Sequence, residues 1–146
     1  MNYISIQIDD LQQYSRKYSL HIEGIEMMEN ETNVMLSKKV EETLNSLGAN
    51  VSSADFVRLH RSSQPRKMKN GRTVAQTIVK FRNWSARSSA YETRFVGTWE
   101  PRKKRPCFVR LDLTKRRLGL MKHARDLLAD LPSIHVVRTL SASCIF

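Results

Sequence analysis

The chain of 146 residues is 40% hydrophobic, which suffices for the core of one domain and excludes global disorder. Its formal net charge is +11 and its pI is near 10.1. The apolar runs are only a few residues long, so no membrane span is predicted. The first residues lack a basic n-region and are soon followed by Asp9-Asp10, so no signal peptide is predicted. The two cysteines stand apart without metal-ligand spacing, which indicates a reducing compartment and argues against a structural zinc site.

Basic residues are concentrated in one stretch of the chain. Residues 58–125 contain 20 of the 25 Lys and Arg residues and only three acidic residues, whereas residues 1–57 contain four bases and nine acids. Like charges repel one another in a compact protein and add little to its stability. A stretch of this kind therefore usually binds a polyanion. The pattern therefore favours binding to nucleic acid. A solvated basic surface, or a site for an acidic protein or lipid, is the alternative.

The N-terminal segment, residues 1–15, has the pattern of a coiled-coil-like helix. The a and d positions of its heptads are Met1, Ile4, Ile8, Leu11, Ser15 and Tyr18. All are apolar except Ser15, but two heptads are fewer than the three or four of an established coiled coil. Two interpretations stay open: the end of a longer coiled coil, or a short helix packed on the domain.

The next segment predicts a strand, a helix and a strand. Residues 18–25 alternate between apolar and polar side chains and form the first strand. Asn30 or Thr32 is positioned to cap a helix that ends at Gly48, and residues 56–61 form the second strand. The helix has one apolar face, made of Leu36, Val40, Leu44 and Leu47.

The same order then repeats. Residues 73–81 predict a third strand, joined to the second by a long loop with a turn at residues 70–71. Asn83 caps a helix that ends at Gly97, and residues 107–111 predict the fourth strand. The expected apolar positions of this helix are Trp84, Tyr91 and Phe95.

The C-terminal segment predicts one more helix and a fifth strand. Thr114 caps the helix, and residues 134–139 form the strand. The chain stops within an apolar run, residues 144–146, so we expect the natural protein to continue. The inward positions of the helix are Leu118, Met121, Leu128 and Leu131.

This order predicts an α+β fold with the βαββαβ succession of a ferredoxin-like or RNA-recognition-motif-like domain over residues 16–113. Residues 114–146 are assigned to part of a second small domain. Right-handed crossovers place both helices of the first domain on one sheet face. The other face is expected to present His21, Glu23, Gln76, Ile78, Lys80, Phe108 and Arg110.

Phe108 is the candidate base-stacking residue of that face, with Arg110 beside it as a phosphate ligand. A Phe covered by the C-terminal helix or by the N-terminal segment is the alternative. The ribonucleoprotein signature places aromatic residues where this chain has Gln76 and Ile78, and strand one has His21. We therefore expect phosphate contacts to dominate, with strong salt dependence and little sequence preference.

Several short motifs occur in the order found in one family. They are residues 16–25 (RKYSLHIEGI), 47–48 (LG), 60–61 (HR), 78–81 (IVKF) and 111–114 (LDLT), followed by Arg116-Arg117. In this order, over residues 14–146, the chain resembles the first-open-reading-frame protein of non-LTR (LINE-type) retrotransposons. It also resembles the related few-polyhedra proteins of insect viruses.

The resemblance implies a coiled coil that trimerises, an RNA-recognition-motif-like domain and a small C-terminal domain that clamps single-stranded RNA. It implies a nucleic-acid chaperone that packages its own RNA in a ribonucleoprotein particle, without enzymatic activity or cofactor. The partner would be single-stranded RNA, with DNA as the alternative, and the location the cytoplasm or the nucleus. By position, His21 stands where the family has a basic or polar strand-one residue, and Arg116 and Arg117 match its paired arginines.

The residues expected to contact nucleic acid come from the basic stretch, the sheet face and the chain that enters strand one. The basic loop at residues 102–105 and the bases of the C-terminal helix are expected to form one phosphate track beside Arg110. The full set is Arg16, Lys17, His21, Arg58, Arg61, Lys80, Arg102, Lys103, Lys104, Arg105, Phe108, Arg110, Arg116, Arg117, Lys122 and Arg125.

No enzyme is predicted, because the four histidines lie far apart and the chain has no Gly-rich phosphate loop, nucleophile elbow or HExxH motif. Asp112 near Lys115 is a remote alternative as a metal-dependent nuclease site. Its expected role is instead to assist the N-terminus of the helix that Thr114 caps. A protein-interaction module of a viral structural or regulatory protein is the other alternative.

Overall fold

The computed structural model describes residues 2–95 and 107–129, and these residues form an α+β protein. They divide into two compact units: residues 18–112, and the described parts of residues 1–17 and 113–146. The two end segments, which the sequence analysis assigns to separate domains, therefore share one unit. In chain order the elements are α1 (Tyr3–Ser15), β1 (Ser19–Glu23), α2 (Asn33–Ser46), β2 (Phe56–Arg61), β3 (Arg66–Lys67), β4 (Thr73–Val74), β5 (Thr77–Phe81), α3 (Trp84–Glu92), β6 (Phe108–Leu111) and α4 (Lys115–Leu128).

Four strands of the unit 18–112 form an antiparallel sheet in the order β2-β5-β1-β6. Strand β5 separates β1 from β2, and β1 separates β5 from β6, so each helical connection passes over one strand. The predicted α+β class is confirmed. The strands predicted at residues 18–25, 56–61 and 107–111 are confirmed as well, to within a few residues at their ends.

The third predicted strand is wrong in one respect, because residues 73–81 are not one continuous strand. Thr73–Val74 pair with Arg66–Lys67 in a separate hairpin, and only Thr77–Phe81 belong to the main sheet. At the break the Ala75 carbonyl oxygen accepts a hydrogen bond from the Arg61 guanidinium, at 2.6 Å. The Arg61 side chain thus satisfies a backbone carbonyl at the break between β4 and β5.

Helix α2 follows the sequence prediction closely. The Thr32 hydroxyl caps it by accepting from the Met35 N–H at 3.2 Å. Gly48 lies just beyond its end at a φ of 94°, in the left-handed region that favours glycine. The predicted apolar face is confirmed: Leu36, Val40 and Leu44 are buried and Leu47 packs against the core.

Helix α3 begins as predicted, but its buried face differs. The Asn83 side chain accepts from the Ala86 N–H at 2.8 Å. Trp84, predicted as one of the apolar positions of this helix, is 42% exposed and is not part of its buried face. The inward positions are the small residues Ala86 and Ala90 together with the predicted Tyr91.

The core of this unit lies between the two helices and one sheet face. Its sheet residues are Leu20, Ile22, Leu59, Val79, Phe81 and Val109. The alternation predicted for β1, β5 and β6 is therefore confirmed, since every second residue of these strands enters the core. The intervening residues lie on the face opposite the helices.

The other unit is held together by polar contacts. Helix α1 buries Asp9 and Gln13, which are 7% and 2% exposed. The heptad residues Ile4, Ile8 and Leu11 are 63%, 50% and 71% exposed. Helix α1 thus packs within its unit through a polar face, and its apolar seam is left at the surface.

Helix α4 begins at the predicted cap, where the Thr114 hydroxyl accepts from the Arg117 N–H at 3.3 Å. Leu118, predicted to face inward, is 46% exposed, so that prediction is wrong. Met121 and Leu128 are half-buried, and the residues that anchor the described part of α4 are polar ones at its first turn. Several predicted features lie outside the described residues: Met1 of the heptad seam, Gly97, the loop 102–105, Leu131, the strand 134–139 and the run 144–146. The Phe95 side chain is not described either.

Candidate nucleic-acid interface

The sheet face opposite the helices carries a row of four side chains, one from each strand. The strand register places His60 beside Ile78, Ile78 beside His21, and His21 beside Arg110. Arg110 is exposed and the other three are half-buried. Because neighbouring strands lie about 4.8 Å apart, the row spans roughly 14 Å across the sheet.

A second row on the same face is more basic. Arg58 lies beside Lys80 across the β2–β5 pair, and both side chains are exposed. The row lies two residues along the strands from the first, a distance of about 7 Å. The predicted sheet bases Arg58, Lys80 and Arg110 are therefore brought together on one face.

A third row contains the candidate stacking residue. Phe108 lies opposite Glu23, and the Gln76 side-chain amide donates to a Glu23 carboxylate oxygen at 3.3 Å. Phe108 is half-buried and is not part of the hydrophobic core. Part of its ring surface is therefore accessible. Phe108 is less exposed than a free stacking residue and less buried than a core residue, so both interpretations stay open.

Arg110 is held by one exposed ion pair. Its Nη2 lies 3.0 Å from a Glu23 carboxylate oxygen, and the Arg110 side chain is 64% exposed. Ion pairs at this exposure contribute about 0–1 kcal/mol to stability, because water screens them. A phosphate oxygen can therefore replace Glu23 at the Arg110 guanidinium at little cost.

His21 is engaged by a carboxylate on the neighbouring strand end. Its Nε2 lies 2.9 Å from Asp112 Oδ1, and the His21 and Asp112 side chains are 20% and 9% exposed. His21 is thereby fixed in orientation within the first row. The expectation that Asp112 also assists the N-terminus of α4 stays a prediction.

Arg61 has a structural role that its sequence context did not reveal. Its guanidinium donates to both carboxylate oxygens of Glu31, at 2.9 and 3.0 Å. It also donates to the carbonyl oxygens of Ile25, Glu26 and Ala75, at 2.8, 2.9 and 2.6 Å. These contacts use the guanidinium donors of Arg61 inside the protein, so Arg61 does not contribute a cation to the sheet face.

The bases of the other unit that the sequence predicts to contact nucleic acid fall into two groups. Arg117 pairs with Asp9 at 2.9 Å and with Asp10 at 2.7 Å, and Arg116 lies 4.0 Å from Asp9. Arg16 donates to the Leu113 carbonyl oxygen at 3.4 Å, and Lys17 lies over the Tyr14 ring. The second group, on the outer surface of α4, consists of the exposed Lys122 and Arg125.

Asp9 organises the first turn of α4. One of its carboxylate oxygens accepts from the Thr114 hydroxyl at 2.6 Å, and the other accepts from Arg117 Nε at 2.9 Å. The Thr114 hydrogen bond, followed by the Arg117 hydrogen bond and charge, lowers the pKa of Asp9 against the opposing effect of burial. Replacing Arg117 is therefore expected to lower the stability of this unit.

A column of alternating aromatic and guanidinium groups runs along α3 and the 3-10 turn after it, Thr93–Phe95. Arg87 lies over the rings of Trp84 and Tyr91, with its central carbon 4.5 and 4.9 Å from their centroids, and Arg94 lies 3.5 Å from the Tyr91 centroid. Arg87 is only 4% exposed, and this burial lowers the pKa of its guanidinium. This column was not predicted from the sequence, although the spacing 84, 87, 91, 94 places all four residues on one helix face.

Four further bases missed by the sequence analysis lie on the β3–β4 hairpin. Arg66, Lys67, Lys69 and Arg72 are all exposed. The signal for them was an Asn-Gly turn flanked on both sides by bases, in a segment interpreted as a loop.

Comparison with protein-family models gives no match, and comparison with curated proteins gives none either. Over residues 2–95 and 107–129, no cluster of three His, Cys, Asp or Glu side chains is arranged to hold a metal ion. Within the same ranges no helix has the length and apolar character needed to cross a bilayer. The site is therefore interpreted from its own geometry.

Proposed function

We propose that this chain is a non-catalytic protein that binds single-stranded nucleic acid, with RNA as the preferred partner, across the sheet face opposite its helices. The observation that carries the proposal is the convergence of Arg58, Lys80 and Arg110 from three strands on that one face. Phe108 lies one row from Arg110, on the side away from Arg58 and Lys80, as a stacking surface for a base.

Phosphate contacts supply most of the affinity in this proposal. The face offers flexible cations rather than the two or three aromatic rings of a base-stacking sheet, since Ile78 and His21 occupy its centre. Cations neutralise phosphates regardless of base identity. Binding is therefore tolerant of sequence and strongly dependent on salt.

The order β2-β5-β1-β6 with antiparallel neighbours supports a ferredoxin-like, RNA-recognition-motif-like topology for residues 18–112. That topology and the motifs given above support a retrotransposon-type RNA-packaging chaperone, in a cytoplasmic or nuclear ribonucleoprotein particle. The exposed seam of α1 supports self-association through a coiled coil.

The deciding experiment is a salt series of binding to a 30-nucleotide single-stranded RNA of mixed sequence. If about six phosphates are neutralised, log K falls with log salt at a slope of about −4, since each contact on a single strand contributes about −0.7. A second RNA of unrelated sequence is expected to give the same slope and a similar affinity. A flat salt dependence, or no binding at low salt, contradicts the proposal and favours a protein-interaction module.

A further inference from the structure

The β3–β4 hairpin projects its charged residues into solvent. Every residue from Ser62 to Arg72 is exposed, including the four bases at positions 66, 67, 69 and 72. Arg72 forms an exposed ion pair with Glu26 at 3.6 Å. Within the described parts of the chain, no carboxylate lies within salt-bridge distance of Arg66, Lys67 or Lys69.

The tip of the hairpin has a defined backbone. The Met68 N–H donates to the Arg72 carbonyl oxygen at 2.7 Å, and the Gly71 N–H donates to the Met68 carbonyl oxygen at 3.0 Å. Gly71 adopts a φ of 85°, and the Asn70 side chain accepts from the Arg72 N–H at 3.1 Å. A side-chain bond of this kind stabilises a tight turn. The four bases are therefore carried on an ordered hairpin.

The base of the hairpin is anchored in the protein. Val74 and Ala75 are buried, and the Met27 N–H donates to the Thr73 carbonyl oxygen at 2.8 Å. The Arg61 guanidinium joins the Ala75 carbonyl oxygen to Glu31, whose side chain is only 4% exposed. Anchoring of this kind limits the entropy lost when the hairpin binds a partner.

The hairpin adjoins the sheet face described above. The Ser62 N–H donates to the Gln76 carbonyl oxygen at 2.7 Å where the hairpin meets the main sheet. The Gln76 side chain contacts Glu23, which lies opposite Phe108 in the third row. A single strand that crosses this row can continue directly onto the hairpin.

We propose that the β3–β4 hairpin is a phosphate-binding arm, which grips the backbone of the same single-stranded nucleic acid where it leaves the sheet beside Phe108. The proposal rests on the function proposed above. Its occupant is a phosphodiester backbone, because the arm offers cations without aromatic rings to stack a base. Its continuity with the sheet favours nucleic acid over a separate acidic protein.

The test uses the whole chain and the same 30-nucleotide RNA, with all four arm bases replaced by glutamine (Arg66→Gln, Lys67→Gln, Lys69→Gln and Arg72→Gln). The salt slope is expected to become shallower by about 2 to 3, at about 0.7 for each phosphate that the arm no longer neutralises. Affinity at 0.15 M salt is expected to fall about 10- to 100-fold. The melting temperature is expected to stay unchanged, because the replaced side chains are exposed.

Two controls separate local contacts from net charge. Arg66→Lys with Arg72→Lys retains the charge and is expected to retain the slope. For single substitutions, Lys69→Gln is compared with Lys38→Gln, an exposed lysine on α2 beside Glu41 and Glu42. Lys69→Gln is expected to make the slope shallower by about 0.7 and Lys38→Gln to leave it unchanged. If the fourfold variant folds poorly, the comparison of Lys69→Gln with Lys38→Gln still tests whether the arm binds phosphate.

The outcomes distinguish the two proposals. If the wild-type chain binds and the slope is unchanged in both the fourfold glutamine variant and Lys69→Gln, the proposal of the arm is overturned and the sheet interface is unaffected. Equal losses of affinity in Lys69→Gln and Lys38→Gln also overturn the arm, because general charge then explains the effect. Failure of the wild-type chain to bind RNA at low salt overturns the function itself.

Discussion

Glu31 and Arg61 form a buried, bidentate ion pair, with both carboxylate oxygens accepting from the guanidinium at 2.9 and 3.0 Å. The Glu31 and Arg61 side chains are 4% and 11% exposed. Fork-to-fork geometry makes this the strong form of an ion pair. Its position joins the loop after β1 to the end of β2 and to the base of the hairpin.

Glu31→Gln is expected to destabilise the protein by about 3 kcal/mol, because it leaves the Arg61 charge buried without its counter-ion. The measurement is urea unfolding at neutral pH. The matched control is Glu29→Gln, an exposed acid in the same loop, which is expected to change stability by less than about 0.5 kcal/mol. Equal stability of the two variants would show that Arg61 does not hold the loop.

Arg61 also shows where inference from sequence stops. Arg58 and Arg61 lie three residues apart on β2, so strand alternation places them on opposite faces, but no local pattern identifies the groups that enclose Arg61. One is exposed on the sheet face and the other is enclosed by Glu31 and three carbonyl oxygens, because tertiary folding brings those acceptors to β2. By contrast, the alternation of β1 and the periodicity of α2 are local patterns, and both were predicted correctly.

The sequence also did not indicate which residues of α3 and α1 would be buried. Trp84 follows a correctly predicted cap, but the small Ala86 and Ala90 face the sheet in its place. Asp9 and Gln13 are buried through their hydrogen bonds with Thr114. Because Thr114 lies about a hundred residues away in sequence, no local pattern indicates that they are buried. A heptad pattern predicted the apolar seam of α1, and could not indicate that the polar face would be the buried one.

Asp9→Asn is expected to weaken the packing of α1 by about 2 kcal/mol at neutral pH, through loss of the charged acceptor for Thr114 and Arg117. Hydrogen exchange of the α1 and α4 amides measures the effect within their unit. Asp10→Asn removes the same charge from a side chain that is 62% exposed, and is expected to have a much smaller effect.

The Asp9 contribution also has a defined pH dependence. The folded-state pKa of Asp9 lies below its ordinary value of 3.8, so its stabilising effect is complete above that value and is lost as the pH falls through the lowered pKa. The difference in protection between wild type and Asp9→Asn is expected to be constant from pH 5 to 7, and to shrink below about pH 4. A difference that grows on acidification would contradict the assignment.

Phe108→Ala is expected to weaken binding to the 30-nucleotide RNA by about 1–3 kcal/mol, the usual range when an aromatic ring that stacks on a base is removed. Its effect on stability is expected to be smaller than the roughly 3–5 kcal/mol of a core Phe, because its ring is only half-buried. Phe81→Ala is the control, since Phe81 is 1% exposed and belongs to the core. A large fall in melting temperature with unchanged affinity in Phe108→Ala would assign this residue to packing.

The apolar seam of α1 is expected to mediate weak self-association. Ile4, Ile8 and Leu11 are at least half exposed and occupy successive heptad positions, but two heptads do not hold an assembly at low concentration. Sedimentation is therefore expected to show a monomer at micromolar concentration and reversible association as the concentration approaches the millimolar range. Linking several weak RNA sites through such a seam raises avidity without any new contact.

Ile8→Asp with Leu11→Asp is expected to abolish the concentration-dependent association, because it places charges in the seam. Tyr3→Asp is the control: Tyr3 is 73% exposed on α1, but its heptad position lies on the side away from the seam. It is expected to leave the association intact. Association that survives the double substitution, or that Tyr3→Asp removes equally, would mean that copies of this chain do not meet through the seam of α1.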